Sequence, residues 1–197
     1  MSPPGGRERV MAVVSLVDRP RGPLRRLTWW ASRRMFDGTV ADPVRAQAHH
    51  GGVLVASGVL EAAVARGWRR LDPGLRWLAV QAASGAIGCS WCTDFGYWDG
   101  VQQGVDPRKV RDVPRWRDSD AYDARERLVL EYAEAVCATP ARLTDDLVAR
   151  LRQTFTEPEI VELAGWVALE NYRSRANAGL GLVSQGFSDR CALPGGG

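Results

Sequence analysis

Two cysteines, Cys89 and Cys92, have the residue type and the spacing for redox chemistry. Side chains three residues apart on a helix share one face, close enough for a disulfide after a modest adjustment. Gly85 and Gly88 are expected to end the preceding helix, so Cys89 would begin the next one, where the helix dipole favours a thiolate. The spacing predicts an activated thiol with a resolving partner. Peroxide would oxidise this pair to a disulfide through a sulfenic acid, and an external dithiol would reduce it.

Other roles for a cysteine pair require residues that this sequence lacks nearby. A zinc site needs two more ligands, but the other two cysteines stand alone, and the adjacent His49 and His50 would point roughly 100° apart on a helix. Covalent haem needs a histidine directly after Cys92, where Thr93 stands. A thioredoxin motif would follow a strand, whereas both flanks look helical. We therefore expect no metal and no cofactor. A pair of buried, inert thiols stays open as an alternative.

Length and composition favour a single globular domain. The chain has 197 residues, of which 45% are hydrophobic and 25% charged, enough for a core that needs no disulfide scaffold. Basic residues number 26 and acidic residues 23, so the charge gives no reason to expect a nucleic-acid partner. No apolar run approaches the roughly 20 residues of a membrane span, and no secretion signal is evident. We expect a cytoplasmic protein that binds neither nucleic acid nor membrane.

Helix start signals recur along the chain. Asp42, Asp72 and Asp106 each precede a proline, which suits an N-cap followed by the first helical residue. Three further caps are expected at Asp123, Thr144 and Thr156, and the last helix should run from about Pro158 to Ala178. No convincing alternating run of β-branched residues occurs between turn signals. The sequence therefore predicts an all-α fold of about six to eight helices.

The predicted domain organisation has two parts. Residues 1–35 are rich in arginine and show no sustained periodicity, so we interpret them as a loosely ordered arm. Residues 36–192 would form the helical domain. The adjacent Trp29 and Trp30 could anchor the arm, either on the chain's own domain or on a neighbouring subunit.

Several segments carry a resemblance to a known family. Residues 75–96, which contain the string GCSWCTDFG, are similar to the core motif of the carboxymuconolactone decarboxylase superfamily, in its alkylhydroperoxidase D-like branch. Residues 42–50, 122–135 and 170–177 resemble other helices of the family in the same order, so the resemblance covers roughly residues 36–190. It implies an alkylhydroperoxidase D-like helical bundle, assembled as a trimer or hexamer. It also implies a peroxidase cycle fed by a dihydrolipoyl-bearing protein, in which Cys92 attacks and Cys89 resolves.

Two positions depart from the family's peroxidase motif. The family has a glutamate twelve residues before the first cysteine and a histidine four residues after the second, which together relay a proton from the attacking thiol. This sequence has Trp77 and Gly96 there. Thiolate formation would then depend on the helix terminus and on cations such as Arg76, while Asp94 would oppose it if it faces the pair. The helix-terminus argument favours Cys89 as the activated thiol and the resemblance favours Cys92, so both assignments stay open.

Two hypotheses for function follow. The first is a thiol peroxidase that reduces a hydroperoxide through a Cys89–Cys92 dithiol/disulfide cycle, with a dithiol reductant and a homo-oligomeric assembly. The second is a non-catalytic or redox-sensing helical scaffold that has lost the proton relay. Arg173 and Arg175, with Asn171 and Asn177, are a candidate polar network near the motif or at a subunit contact.

Overall fold

The computed structural model describes residues 12–191, and the regular structure of these residues is helical. The α-helices are α1 (Pro23–Met35), α2 (Asp42–Gln47), α3 (Gly51–Gly67), α4 (Pro73–Ile87), α5 (Ser90–Gln102), α6 (Pro107–Asp112), α7 (Ala124–Cys137), α8 (Asp145–Thr154) and α9 (Glu157–Gly179). Two short 3₁₀ turns, Val113–Arg115 and Ser188–Arg190, complete the described part. The predicted all-α class is confirmed.

The described residues contain nine α-helices, one more than the sequence predicts. Residues 48–50 separate α2 from α3, which begins at Gly51, and α1 forms within the arm, where no periodicity was evident. Pro23 begins α1, as suits a first helical residue. On this helix Trp29 is buried, whereas Trp30 is exposed. The proposed boundary between arm and domain stays a prediction, and residues 1–11 of the arm lie outside the described part.

Local capping explains where most helices begin. The Asp72 carboxylate accepts hydrogen bonds from two backbone N–H groups at the start of α4, and Asp106 accepts one at the start of α6. Capping boxes at Asp123 and Thr156 begin α7 and α9, as predicted. Asp42 differs, because it is the first residue of α2 and its carboxylate pairs with Arg45 instead of capping the helix.

Helix α4 lies at the centre of the fold and packs against α5, α7 and α9. Ala79 and Ala83 are fully buried, and their small side chains let neighbouring helices approach closely. Leu78, Leu130 and Leu163 fill the core around them, each contributing roughly 1.5–3 kcal/mol through burial. This packing fixes the C-terminal end of α4, from which the cysteine segment emerges.

Candidate functional site

The turn between α4 and α5 places Cys89 at a helix N-terminus. Gly88 adopts a left-handed conformation with φ of 82°, which a side chain would strain. The N–H groups of Gly88 and Cys89 both donate to the Ser84 carbonyl, at 3.0 and 3.1 Å. Cys89 is then the N-cap of α5, at the position that the glycine pattern predicts.

Cys89 and Cys92 are joined by a disulfide, with a Cα–Cα distance of 5.3 Å. The Cys92 N–H donates to Cys89 Sγ at 3.2 Å, so the first sulfur occupies the acceptor position of a helix cap. After reduction, this N–H and the helix dipole would stabilise a Cys89 thiolate. Cys89 is 4% exposed and Cys92 is 7% exposed, so the pair is shielded from bulk solvent.

Helix α9 supplies polar partners for the second sulfur. Ser174 Oγ lies 3.3 Å and Asn177 Nδ2 lies 3.4 Å from Cys92 Sγ. Ser174 Oγ is also 2.7 Å from Glu170 Oε1. Glu170 is 2% exposed, and this burial raises its pKa to about 7 although Arg173 and Ser174 oppose the shift. Cys92 is thus connected through one hydroxyl to a carboxyl that titrates near neutral pH.

A segment near the C-terminus closes the site. The backbone N–H groups of Gln185, Phe187 and Ser188, and the Ser188 hydroxyl, all donate to the carboxylate of Asp94. We call residues 184–190 the C-terminal strap. Burial favours the neutral acid, but these hydrogen bonds outweigh it and hold the pKa of Asp94 below its usual value. Both carboxylate oxygens are occupied by strap donors, so Asp94 acts on the strap instead of facing the thiols.

Gln185 adds a second attachment for the strap. Its Oε1 accepts hydrogen bonds from the backbone N–H of Asp42 at 3.0 Å and from Trp91 Nε1 at 3.2 Å. Its Nε2 donates to the carbonyl of Val40 at 3.0 Å. The strap is therefore bonded both to α5 and to the segment that begins α2.

Aromatic rings pack around the disulfide. Phe95 stacks on Trp91 with ring centroids 5.2 Å apart, and Phe187 of the strap meets Phe95 edge to face at 5.4 Å. Trp91, Trp98 and the fully buried Phe187 form one apolar cluster with the two cysteines. The surroundings of the sulfurs are therefore aromatic on the strap side and polar on the α9 side.

The two positions that depart from the family motif contact each other. Trp77 Nε1 donates to the Gly96 carbonyl at 3.0 Å. A Cβ atom at Gly96 would overlap the side-chain amide of Gln81, and one at Gly100 would lie 2.6 Å from the Trp77 ring. The space that a histidine would occupy is thus filled by Gln81, and the tryptophan fits because Gly100 leaves room for its ring.

The other candidates from the sequence differ in whether they contact the cysteine pair. The Arg76 guanidinium stacks over Trp166 and donates a hydrogen bond to Gln103, so it is engaged with these residues and not with the thiols. Of the candidate polar network, Asn177 bonds to Cys92, whereas Asn171 bonds to the sulfur of Cys137. Arg173 pairs with Glu61 and Glu170, and Arg175 is exposed.

Sequence reasoning missed Glu170 and Ser174 as part of the site. With Asn177 they stand at spacings of four and three residues, which places them on one face of α9. All three are buried. A polar stripe at helical spacing in the C-terminal half of α9 was the available signal.

Part of the chain matches a known protein family. A profile of the Carboxymuconolactone decarboxylase family matches residues 55–135, from α3 through the cysteine turn to α7. This match supports the resemblance to the carboxymuconolactone decarboxylase superfamily that the cysteine motif predicts. The uncharacterized protein YnjA of Escherichia coli is 27% identical over 184 residues, which cover 93% of this chain and 95% of that protein.

Solved structures share the fold of this chain. The debrominase Bmp8 in complex with 2,3,4-tribromopyrrole superposes with a TM-score of 0.81 at 19% identity, covering 93% of this chain and 97% of Bmp8. An uncharacterized peroxidase-related protein from Ralstonia eutropha, described as an alkylhydroperoxidase AhpD core, has a TM-score of 0.74 at 19% identity, covering 89% and 96%. The predicted alkylhydroperoxidase D-like bundle is confirmed.

The described residues hold neither a membrane-crossing helix nor a metal cluster. Within residues 12–191, no helix is both long and apolar enough to traverse a bilayer. In the same range, no three side chains of His, Cys, Asp or Glu are grouped as metal ligands would be. His50 caps α3, and His49 Nε2 lies 2.7 Å from the carbonyl of Ser15.

Proposed function

We propose that this protein is a thiol oxidoreductase that reduces hydroperoxides through a Cys89–Cys92 dithiol/disulfide cycle. The observation that carries the proposal is the disulfide within one turn at the start of α5, with hydrogen-bond donors on both sulfurs. Hydrogen bonds of this kind stabilise the thiolate that performs the attack. The match of residues 55–135 to the Carboxymuconolactone decarboxylase family supports this chemistry.

The cycle needs two substrates. One thiol attacks the hydroperoxide ROOH to give a sulfenic acid and the alcohol ROH, and the second thiol then displaces water to form the disulfide. An external dithiol restores both thiols by disulfide exchange. A lipoyl-bearing protein in its dihydrolipoyl form is the reductant that the family resemblance suggests, and a cytoplasmic location would keep that reductant available.

A homo-oligomer, a trimer or hexamer by resemblance, is part of the proposal. Helix α3 exposes Val55, Val59 and Leu60, an apolar face that a second subunit could cover. Sedimentation of the wild type and of Val59→Glu tests this element. The wild type is expected to sediment as an oligomer, and the variant as a smaller species.

A non-catalytic or redox-sensing scaffold is the competing hypothesis. It is favoured by Trp77 and Gly96, which replace the relay residues, and by the burial of both sulfurs beneath the strap. The two hypotheses differ in turnover. A sensor would oxidise once under peroxide and return slowly, whereas an enzyme would consume many equivalents of hydroperoxide with a dithiol present.

A second catalytic candidate is reductive debromination of an aromatic ring, suggested by the likeness to Bmp8 and by the aromatic cluster on the strap side. A dithiol and an aryl bromide would give a disulfide, the arene and HBr, so the same cysteine pair would suffice. The two activities differ in the compound that the dithiol reduces, a hydroperoxide or an aryl bromide. We expect hydroperoxide to be turned over and 2,3,4-tribromopyrrole to be left unchanged.

The experiment measures consumption of cumene hydroperoxide with dihydrolipoamide as reductant. We expect turnover by the wild type and by Cys137→Ser, the matched control for a buried cysteine outside the pair. Cys89→Ser and Cys92→Ser should both lose multiple turnover, because neither can close the disulfide. Full turnover by both single variants of the pair would contradict the proposal, and single-equivalent oxidation of the wild type would favour the sensor.

A further inference from the structure

The hydrogen-bond chain from Cys92 to Glu170 connects a sulfur to a buried carboxyl. Ser174 Oγ stands between them, 3.3 Å from Cys92 Sγ and 2.7 Å from Glu170 Oε1. Ser174 is fully buried and Glu170 is 2% exposed, so bulk water does not compete for these contacts. Cys92, Ser174 and Glu170 therefore form a continuous hydrogen-bond path that is shielded from bulk solvent.

A single hydroxyl hydrogen makes this path directional. Ser174 has one O–H to donate and two lone pairs that accept. When Glu170 is ionised, Ser174 donates to the carboxylate, and its oxygen can accept the S–H of a reduced Cys92. When Glu170 is protonated, it donates to Ser174, which turns its hydrogen towards a Cys92 thiolate. The two arrangements differ by one proton moved along the chain.

We propose that Glu170 and Ser174 relay the proton of Cys92, in place of the glutamate and histidine that the family motif has at positions 77 and 96. This inference rests on the proposed function and deepens it, because it assigns Cys92 as the thiol that attacks. Cys89 then resolves. The helix terminus still stabilises Cys89, but the path to a buried carboxyl begins at Cys92.

The surroundings of Glu170 suit a group that changes its protonation state during turnover. Burial raises its pKa to about 7, near the value at which a general base works best at neutral pH. Arg173 lies 3.5 Å from the carboxylate and opposes this shift, but Arg173 is shared with Glu61 of α3. Other groups on the helices packed against α9 are Arg76 of α4, Cys92 and Asp99 of α5, and Cys137 of α7.

Positions 77 and 96, where the family motif has its relay residues, support the assignment of the relay to Glu170 and Ser174. Trp77 and Gly96 are bonded to each other, and Gln81 fills the space next to Gly96, so no acid or base remains at either position. Glu170 approaches Cys92 from α9 instead. The protein would thus keep the function of the relay with residues from another helix.

The relay moves one proton to Glu170 and returns it within the same cycle. The Cys92 S–H proton passes to Ser174 Oγ while the Ser174 hydrogen passes to Glu170. The thiolate attacks the hydroperoxide, the O–O bond breaks, and Cys92 becomes a sulfenic acid. The leaving alkoxide takes a proton back along the chain from Glu170, which yields the alcohol and restores the carboxylate. The Cys89 thiol then closes the disulfide and releases water.

The test follows the reactivity of reduced Cys92 from pH 5 to 9. Two rates are measured: alkylation by iodoacetamide, read at the Cys92 peptide by mass spectrometry, and oxidation by cumene hydroperoxide. The wild type should show an inflection near pH 7 in both rates. Glu170→Gln should lose that inflection and react about 100-fold more slowly at pH 7.5, since general-base catalysis typically contributes 10²–10⁴-fold.

Two further variants separate a relay from a structural role. Ser174→Ala should give the same loss with Glu170 in place, and it decides the matter if Glu170→Gln fails to fold by circular dichroism. Glu162→Gln is the matched control, because Glu162 is a buried glutamate of α9 whose carboxylate accepts the backbone N–H groups of residues 70 and 71. Its profile should keep the inflection.

The outcomes for the relay and for the proposed function are distinct. An unchanged profile in Glu170→Gln and Ser174→Ala, or a uniform loss of rate that keeps the inflection, would overturn the relay. If the wild type shows the inflection in alkylation but does not react with hydroperoxide, the relay stands and the peroxidase proposal fails. If all variants reduce hydroperoxide alike, the peroxidase stands and the relay fails.

Discussion

The attachment of the strap by Asp94 leads to a quantitative prediction for Asp94→Asn. Oδ1 accepts the N–H and the hydroxyl of Ser188, and Oδ2 accepts the N–H groups of Gln185 and Phe187. An amide keeps one oxygen, so two of four hydrogen bonds are lost. A hydrogen bond to a charged group contributes about 1.5–3 kcal/mol, so we take about 3 kcal/mol as the lower limit for the loss. Strap opening should then become about 100-fold more frequent.

Hydrogen exchange is the assay for this opening. The amides of Gln185, Phe187 and Ser188 should exchange about 100-fold faster in Asp94→Asn, and dithiothreitol should reduce the buried disulfide faster as well, if reduction requires the strap to open. Asp189→Asn is the matched control, because Asp189 is an exposed acid of the same strap. Equal exchange rates in Asp94→Asn and the wild type would refute the role assigned to Asp94.

Three further predictions concern stability. Gly100→Ala should lower the free energy of unfolding by about 1–3 kcal/mol, because its Cβ would press on the Trp77 ring. Gly85→Ala, which adds a Cβ in open space on α4, should raise the free energy of unfolding by about 0.5–1 kcal/mol. Thermal melts of the two variants measure the difference. The double variant Trp77→Glu, Gly96→His, which restores the family residues, should lower the free energy of unfolding by at least about 3 kcal/mol and should also lower peroxide turnover. The reason is that a buried ring is lost and Gln81 blocks the histidine. A folded, more active variant would contradict this prediction. The pKa of Asp94 is lower in the folded than in the unfolded protein, so its stabilising contribution is present above the unfolded pKa near 4 and is lost as the pH falls through the folded pKa. The difference in melting temperature between wild type and Asp94→Asn should therefore shrink below about pH 4. A difference that stays constant down to about pH 2 would contradict this prediction.

Local features of this protein were predictable because their causes lie within a few residues. The cap at Asp72, the capping box at Asp123 and the left-handed Gly88 depend on backbone groups at most five positions away. The position of Cys89 at the start of α5 follows from the same local chemistry. These parts of the fold and of the candidate site could be predicted from spacing alone.

The rest of the site depends on contacts between distant parts of the chain. Ser174 and Asn177 are 82 and 85 residues away from Cys92, and the strap residues that bond to Asp94 are 91 to 94 residues away from it. Spacing within one sequence does not reveal which helix face meets another. The conformation of α1 escaped prediction for a related reason, since its many arginines obscure the apolar periodicity that buries Trp29.

Cys89 and Cys92 are proposed to form a reversible redox pair. Intact-protein mass spectrometry with thiol alkylation tests it most directly, on the reduced protein, after one equivalent of hydroperoxide, and again after dihydrolipoamide. We predict a reversible loss of about 2 Da, the two hydrogens released when a dithiol closes to a disulfide, localised to Cys89 and Cys92. Thiols that stay alkylatable after peroxide would show that the two cysteines are not a redox pair.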